Sequence, residues 1–177
     1  MHMRFLLALG FLAVSSGLVF AQQSVDLSQH VFFKHIVGKW EAVGDLKAAD
    51  GHVVKVKEEW TGKATSEGEF VIEGKRQIDE SQQTFRWSIT RNAAAGNFAG
   101  VLTMDGNAAE ALQFEMNVSE VNLTADLKAP IGANGSLTLI ESFAAEDKNS
   151  IKIEVTLVGD GGETNLAGTV IHKRVKE

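Results

Sequence analysis

Cysteine and tyrosine are absent from the 177 residues, and proline occurs once. Without cysteine there is no disulfide, no thiol nucleophile and no thiolate metal site. A cysteine-linked lipid anchor is excluded on the same ground. The lone proline, Pro130, is expected in a loop, as strand ladders require. Basic residues are the minority, 17 Lys and Arg against 23 Asp and Glu, for a formal charge of -6. They are scattered along the chain. This argues against a nucleic-acid surface, because phosphate binding needs a concentrated basic patch. The acidic balance reads as solubility.

Apolar residues concentrate at the start. Arg4 supplies a short positive beginning, an apolar run extends from Phe5 to Val14, and Ser15, Ser16 and Gly17 follow. Val19-Phe20-Ala21 fits the small-x-small rule of a signal peptidase site, so residues 1–21 are expected to be a signal peptide cleaved after Ala21. The other reading is an uncleaved anchor, for which the run is short against the roughly 20 apolar residues a span needs. Removing 21 of 177 residues leaves 156, residues 22–177, a length that suits one domain with its own core. Losing Arg4 makes the mature form about one unit more negative. Export without disulfides fits a bacterial periplasm better than an animal extracellular fluid. The expected location is secreted or periplasmic, with no membrane span in the mature form.

One helix signal stands after that segment. Asp26 is placed to cap Leu27–Val37, whose apolar residues recur at helical spacing, and Gly38 ends it. About three turns are too few for independent stability, so the helix must pack on something larger. Beyond Gly38 the period changes to two. Ten strands are expected: Lys39–Lys47, Val53–Ala64, Glu69–Asp79, Thr84–Arg91, Phe98–Met104, Leu112–Val118, Val121–Leu127, Ser136–Ala144, Ile151–Val158 and Leu166–Val175. Turn chemistry separates nearly all of them, as in Asp50-Gly51, Glu67-Gly68, Gly96-Asn97, Asp105-Gly106-Asn107 and Asp160-Gly161-Gly162. Short loops make consecutive strands antiparallel neighbours. Closing the meander removes both exposed edges. The expected fold is all-β, a ten-stranded antiparallel up-and-down β-barrel with a short N-terminal helix closing one end. A β-sandwich is the alternative, but it needs long crossing connections.

Alternation assigns the inward faces. The second strand turns Val54, Val56, Glu58 and Trp60 inward, and the third turns Phe70, Ile72, Gly74, Arg76 and Ile78. The fourth gives Phe85, Trp87 and Ile89, and the eighth gives Leu137, Leu139, Glu141 and Phe143. Three charged residues, Glu58, Arg76 and Glu141, break an otherwise apolar set. His172 belongs with them if its weakly alternating strand faces that way. A hairpin turning at Ser66-Glu67-Gly68 sets Trp60 against Gly74 and Glu58 against Arg76. A next turn through Glu80-Ser81-Gln82-Gln83 sets Ile78 against Phe85 and Arg76 against Trp87, where guanidinium and indole would stack for ~0.5–2 kcal/mol.

An unpaired charge inside a barrel costs several kcal/mol, so Arg76 needs partners. One reading is a Glu58–Arg76 pair that fixes strand register. The other is a cavity in which Arg76 receives an anionic or polar head group between walls of Trp60, Trp87, Phe70 and Phe85. A one-residue slip of register would turn Arg76 outward instead.

The segment Phe33-Lys34-His35-Ile36-Val37-Gly38-Lys39-Trp40-Glu41 resembles the opening of lipocalin-like barrels, the calycin superfamily. There a short helix closes one end, and Gly-x-Trp, here Gly38-Lys39-Trp40, leads into the first strand. The resemblance implies that Trp40 packs across the barrel floor. The strand count is similar to the fatty-acid-binding and nitrobindin-like end of that superfamily. Glu59-Trp60 with Phe70-Val71-Ile72-Glu73-Gly74 resembles secreted bacterial lipocalin-like domains of unassigned function. Two departures matter. With no tyrosine, the Arg-x-Tyr carboxylate clamp of fatty-acid-binding proteins is missing. No histidine is placed to bind haem, so neither ligand is carried over.

Other chemistry is sparse. His30 and His35 are five apart, off the spacing that places two metal ligands on one helical face. No phosphate loop, dinucleotide fingerprint or Gly-x-Ser-x-Gly elbow occurs. Asn117-Val118-Ser119 and Asn122-Leu123-Thr124 match glycosylation acceptors, which matter only in a eukaryotic host. The sequence therefore points to an exported barrel holding a small hydrophobic, amphipathic or anionic molecule. The expected ligand-binding residues are Glu58, Trp60, Phe70, Arg76, Phe85, Trp87 and Glu141, with no cofactor, no metal and no assigned catalytic residue. The alternatives are a calycin-like enzyme using Glu58, Arg76 and Glu141, where two facing carboxylates would be a glycosidase's requirement, or an interaction module with a filled interior.

Overall fold

A computed structural model describes residues 26–66, 68–131 and 137–176. The expected signal segment and its cleavage point lie outside the described residues, as do Glu67 and Ser136. One helix, α1 (Val31–Ile36), precedes ten strands: β1 (Gly38–Ala48), β2 (Val53–Ala64), β3 (Phe70–Ile78), β4 (Ser81–Asn92), β5 (Asn97–Met104), β6 (Asn107–Ser119), β7 (Thr124–Ile131), β8 (Leu137–Asp147), β9 (Ser150–Gly159) and β10 (Thr164–Arg174). Each strand pairs antiparallel with the next, and β1 pairs with β10, so the sheet closes. The ten-stranded barrel with one short helix near its start is as the alternation predicts. Closure satisfies the hydrogen-bonding edges that an open meander would present to other chains.

Alternation carries through to burial. In β2 the residues Val56, Glu58, Trp60 and Gly62 are buried, and their neighbours are exposed. Tight turns enforce the meander. Asp105 and Gly106 both take positive φ, 48° and 69°, and they join Met104 to its partner Asn107 in a two-residue loop.

The end beneath α1 is densely filled. Phe33 lies 4.9 Å from Phe70 and 5.0 Å from Phe98, ring centre to ring centre. Trp40 donates its indole N–H to the Ile36 carbonyl at 3.2 Å and stacks on Trp60 at 5.5 Å. Arg174 lies over the outer face of Trp40 and donates to the carbonyls of His35 and Val37, fastening the helix end to the last strand. Burying a large apolar side chain of this kind stabilises by roughly 1.5–3 kcal/mol, and this docking holds a helix too short to stand alone.

Four expectations need correction. The helix spans six residues, not eleven. Its N-cap is His30, with no side-chain cap bond, while the Asp26 carboxylate accepts from Ser28 N–H and holds a preceding turn. The β3–β4 hairpin turns on Asp79 and Glu80, so Arg76 faces Gln83 and Trp87 faces Ile72. Asp79 enters the left-handed region, φ 50°, which aspartate tolerates, and its Oδ1 accepts from Lys55 N–H. Eight of the ten strands also run longer than expected, most of all β6. Finally, β7 begins at Thr124 and contains Pro130, because Glu120–Leu123 form the turn and Leu123 takes φ 51°. Pro130 pairs in register with Thr138 of β8, but the β6–β7 register runs only from Glu115↔Lys128 to Ser119↔Thr124. The proline therefore sits past the last β6 partner, beside a short seam in the wall.

Candidate functional site

The other end of the barrel is hollow. An internal cavity of about 230 Å³ lies among residues from every strand except β5 and β6. Its collar is aliphatic, with Leu46, Ile78, Ile131, Leu139, Leu157 and Leu166 near the strand ends. Its walls are Trp60, Trp87, Phe85 and Phe143. Four polar side chains face it: Glu58, Arg76, Glu141 and His172. An apolar cavity of about 150 Å³ admits benzene, so this one has room for a small organic molecule.

Three of the four polar groups share one rung of the barrel. The register runs Arg76↔Glu58, Glu58↔Ala42 and Ala42↔His172 across β3, β2, β1 and β10. The first of these pairings, Arg76 with Glu58, is the one the sequence predicts. Ala42 is the small residue over which Glu58 and His172 are brought together. Arg76 Nε donates to Glu58 Oε1, with the guanidinium carbon 5.2 Å from the Phe85 ring centre. The expected stacking partner, Trp87, is replaced by Phe85 as a consequence of the two-residue β3–β4 turn. Burial alone would lower the Arg76 pKa; Glu58 and Glu141 outweigh it and hold the guanidinium charged.

His172 is 1 % exposed. Its Nδ1 accepts the Trp60 indole N–H at 2.9 Å. An indole nitrogen only donates, so Nδ1 is unprotonated and the neutral ring carries its proton on Nε2. Burial pulls the His172 pKa down to about 4, with Glu58 opposing and Arg76 adding to the fall. At neutral pH the ring is uncharged.

Glu141 sits on a different rung. Its cross-strand partners are Leu127 and Val155, and its same-face neighbours along β8 are Leu139 and Phe143. All four are apolar. The side chain is 5 % exposed, and it makes no hydrogen bond or ion pair with any described residue. Burial pushes its pKa up to about 7; Arg76 opposes the rise and Glu58 adds to it. Glu141 is thus a group that exchanges a proton near neutrality, inside an apolar chamber. None of the described residues lining the cavity is a hydroxyl nucleophile, and its polar groups offer hydrogen bonding and proton transfer. No cluster of metal-ligating residues exists among the described residues.

Six of the seven expected ligand-binding residues line this cavity: Glu58, Trp60, Arg76, Phe85, Trp87 and Glu141. Phe70 does not. It is fully buried against Phe33, in the filled end. Beyond these six, the aromatic and polar side chains on the lining are Phe143 and His172. Phe143 follows from the same alternation that turns Glu141 inward. His172 shares parity with Leu166, Gly168 and Val170, a pattern hidden by the small residues of β10.

No family model matches the sequence, and no curated protein does. Among solved structures, the chain is similar to the S-type phycobiliprotein lyase CPES of Guillardia theta. The TM-score is 0.59 at 11% identity, over 82% of this chain and 92% of that one. It is also similar to a protein of unknown function of the DUF3598 family from Nostoc punctiforme, with TM-score 0.52 at 12% identity over 81% of this chain. The chain spans 49% of that second protein's length. At these identities the likeness is one of fold: a closed antiparallel barrel.

Proposed function

We propose that the protein is a small-molecule-binding barrel whose ligand enters through the aliphatic collar and sets a polar end against Glu141, Arg76 and His172. One observation carries this reading: the buried Glu141 carboxyl group, with no hydrogen-bond or ion-pair partner among the described residues, faces a cavity that is otherwise largely apolar. A buried polar group left unsatisfied is destabilising by about 1–3 kcal/mol, and a ligand donor would remove that penalty. The aromatic walls supply contact area, and the polar groups supply orientation. The fold shared with a phycobiliprotein lyase is compatible with the reading and does not choose the ligand. An open interior favours binding over an interaction module with a filled core.

Membership of the lipocalin-like superfamily is part of this proposal, supported by the helix, the Gly38-Lys39-Trp40 entry and the position of Trp40 across the filled end. So is export, with residues 1–21 as the signal peptide and residues 22–177 as the mature domain. Intact mass of the exported protein would check this, with Gln22 expected as the first residue.

The binding test uses a cavity-filling variant. Val155→Phe projects a ring into the chamber beside Glu141. A panel of amphipathic fragments should raise the melting temperature of the wild type and leave Val155→Phe unmoved. Equal responses from the two proteins, or none from the wild type, would refute cavity binding.

A further inference from the structure

Resting on that reading, we propose that the ligand's polar end is a cation, an ammonium group on an aromatic or alkyl body, received by Glu141. Charges confined in so small a space must match. Among the described residues, the charged or titratable side chains facing Glu141 across the cavity are Glu58 from β2, Arg76 from β3 and His172 from β10. Arg76 is already paired with Glu58, and His172, buried and accepting the Trp60 N–H at Nδ1, is neutral. With Glu141 protonated, the chamber sums to zero. An anion would bring a second negative charge beside Glu58 and displace that balance. An ammonium group restores it, because Glu141 gives up its proton and two carboxylates then face two cations.

The geometry supports the same choice. Leu127, Leu139, Phe143 and Val155 surround Glu141 and offer it no donor, so the bond must come from the chamber. Phe143, two residues along β8, and Trp87, 6.4 Å from Phe143 in an edge-to-face pair, line the same cavity as the carboxyl group. Aromatic faces attract an ammonium group further. This replaces the anionic head group that an inward arginine alone suggests, since Glu58 has already answered that arginine.

The step balances simply. The cation enters with its N–H bonds intact, the Glu141 carboxyl O–H breaks, and the proton leaves to solvent. Binding should therefore strengthen as pH rises, levelling once Glu141 is ionised in the free protein, near its pKa of about 7.

Three probes of matched size test this on the full mature chain: phenethylammonium, phenethyl alcohol and phenylacetate, each titrated by calorimetry. At about pH 8, where free ammonium and carboxylate are both charged, the ammonium should bind at least about tenfold tighter than the alcohol, and phenylacetate weakest. Near pH 6, comparison of buffers with different ionisation enthalpies should show close to one proton released with the ammonium and none with the alcohol. Glu141→Gln should erase the preference for the ammonium over the alcohol. Phenylacetate binding as tightly as the ammonium would overturn the inference. So would an ammonium preference that survives Glu141→Gln. In either case, cavity binding itself would stand. Failure of all three probes in the wild type would remove the binding reading and this inference with it. The wild-type comparison needs no variant to fold.

Discussion

Glu141 and His172 tilt the stability of the fold in opposite directions with pH. The Glu141 pKa is raised from 4.5 to about 7 in the folded chain, chiefly by burial. The folded state therefore holds that proton more tightly than the unfolded state. The resulting stability is fully present below about pH 4.5 and is lost as pH rises through about 7. His172 is the reverse case, lowered from 6.5 to about 4 by burial. Its contribution is present above about pH 6.5 and is lost as pH falls toward 4. Between these limits the two slopes oppose each other. At about 1.4 kcal/mol per pKa unit, Glu141→Gln should be roughly 2–3 kcal/mol more stable than the wild type near pH 8. It should also expose an acid loss below pH ~6.5 that the wild type masks. Urea unfolding across that range measures both, and parallel pH profiles for the two proteins would refute the assignment. Arg76 is the other sensitive position. Arg76→Met leaves Glu58 unpaired and should cost about 3–5 kcal/mol. The double variant Glu58→Met, Arg76→Met should recover most of that loss, as read from denaturant midpoints.

Among the elements, the β2–β3 hairpin shows how a small residue sets a large one. Gly74 faces Trp60, and a Cβ at Gly74 would stand 2.6 Å from the Trp60 Cβ. Backbone cannot yield easily there, so Gly74→Ala should destabilise by about 1–3 kcal/mol. A variant with an unchanged melting temperature would contradict the packing. This hairpin was legible in the sequence because Gly68 marks its turn, at φ 78°, and the pairing of Glu58 with Arg76 followed from it. The next hairpin was not legible. The stretch Asp79-Glu80-Ser81-Gln82-Gln83 is polar throughout and contains no glycine, so nothing local distinguishes a two-residue turn from a four-residue one. The choice falls to Asp79 adopting positive φ and bonding Lys55 on a neighbouring strand, a tertiary event. Pro130 misleads for a similar reason. A proline excludes a fully laddered strand, but it fits one whose neighbour has already diverged. Alternation turns Glu141 inward, yet its isolation among Leu127, Leu139, Phe143 and Val155 depends on the pairing of three strands.

For the molecule as a whole, closure is uneven. β1 and β10 pair from Trp40↔Arg174 to Ala48↔Leu166, whereas β6 and β7 share only the short register from Glu115 to Ser119. Residues Ala108–Ala111 fall in the register shift between β5 and β6 and lie outside the β6–β7 register as well. Local opening follows low pairing density, so amide exchange at Ala108–Ala111 should run faster than in β1, β2 and β10 by orders of magnitude. Uniform protection around the ring would contradict this. The indoles bear on a different kind of measurement. All three, Trp40, Trp60 and Trp87, are less than a tenth exposed, and tyrosine is absent. The near-ultraviolet emission of this protein therefore comes wholly from its interior. One ring reports the packed end, one the bond to His172, and one the wall of the chamber. Occupancy should be visible as a change in colour or intensity with no label attached.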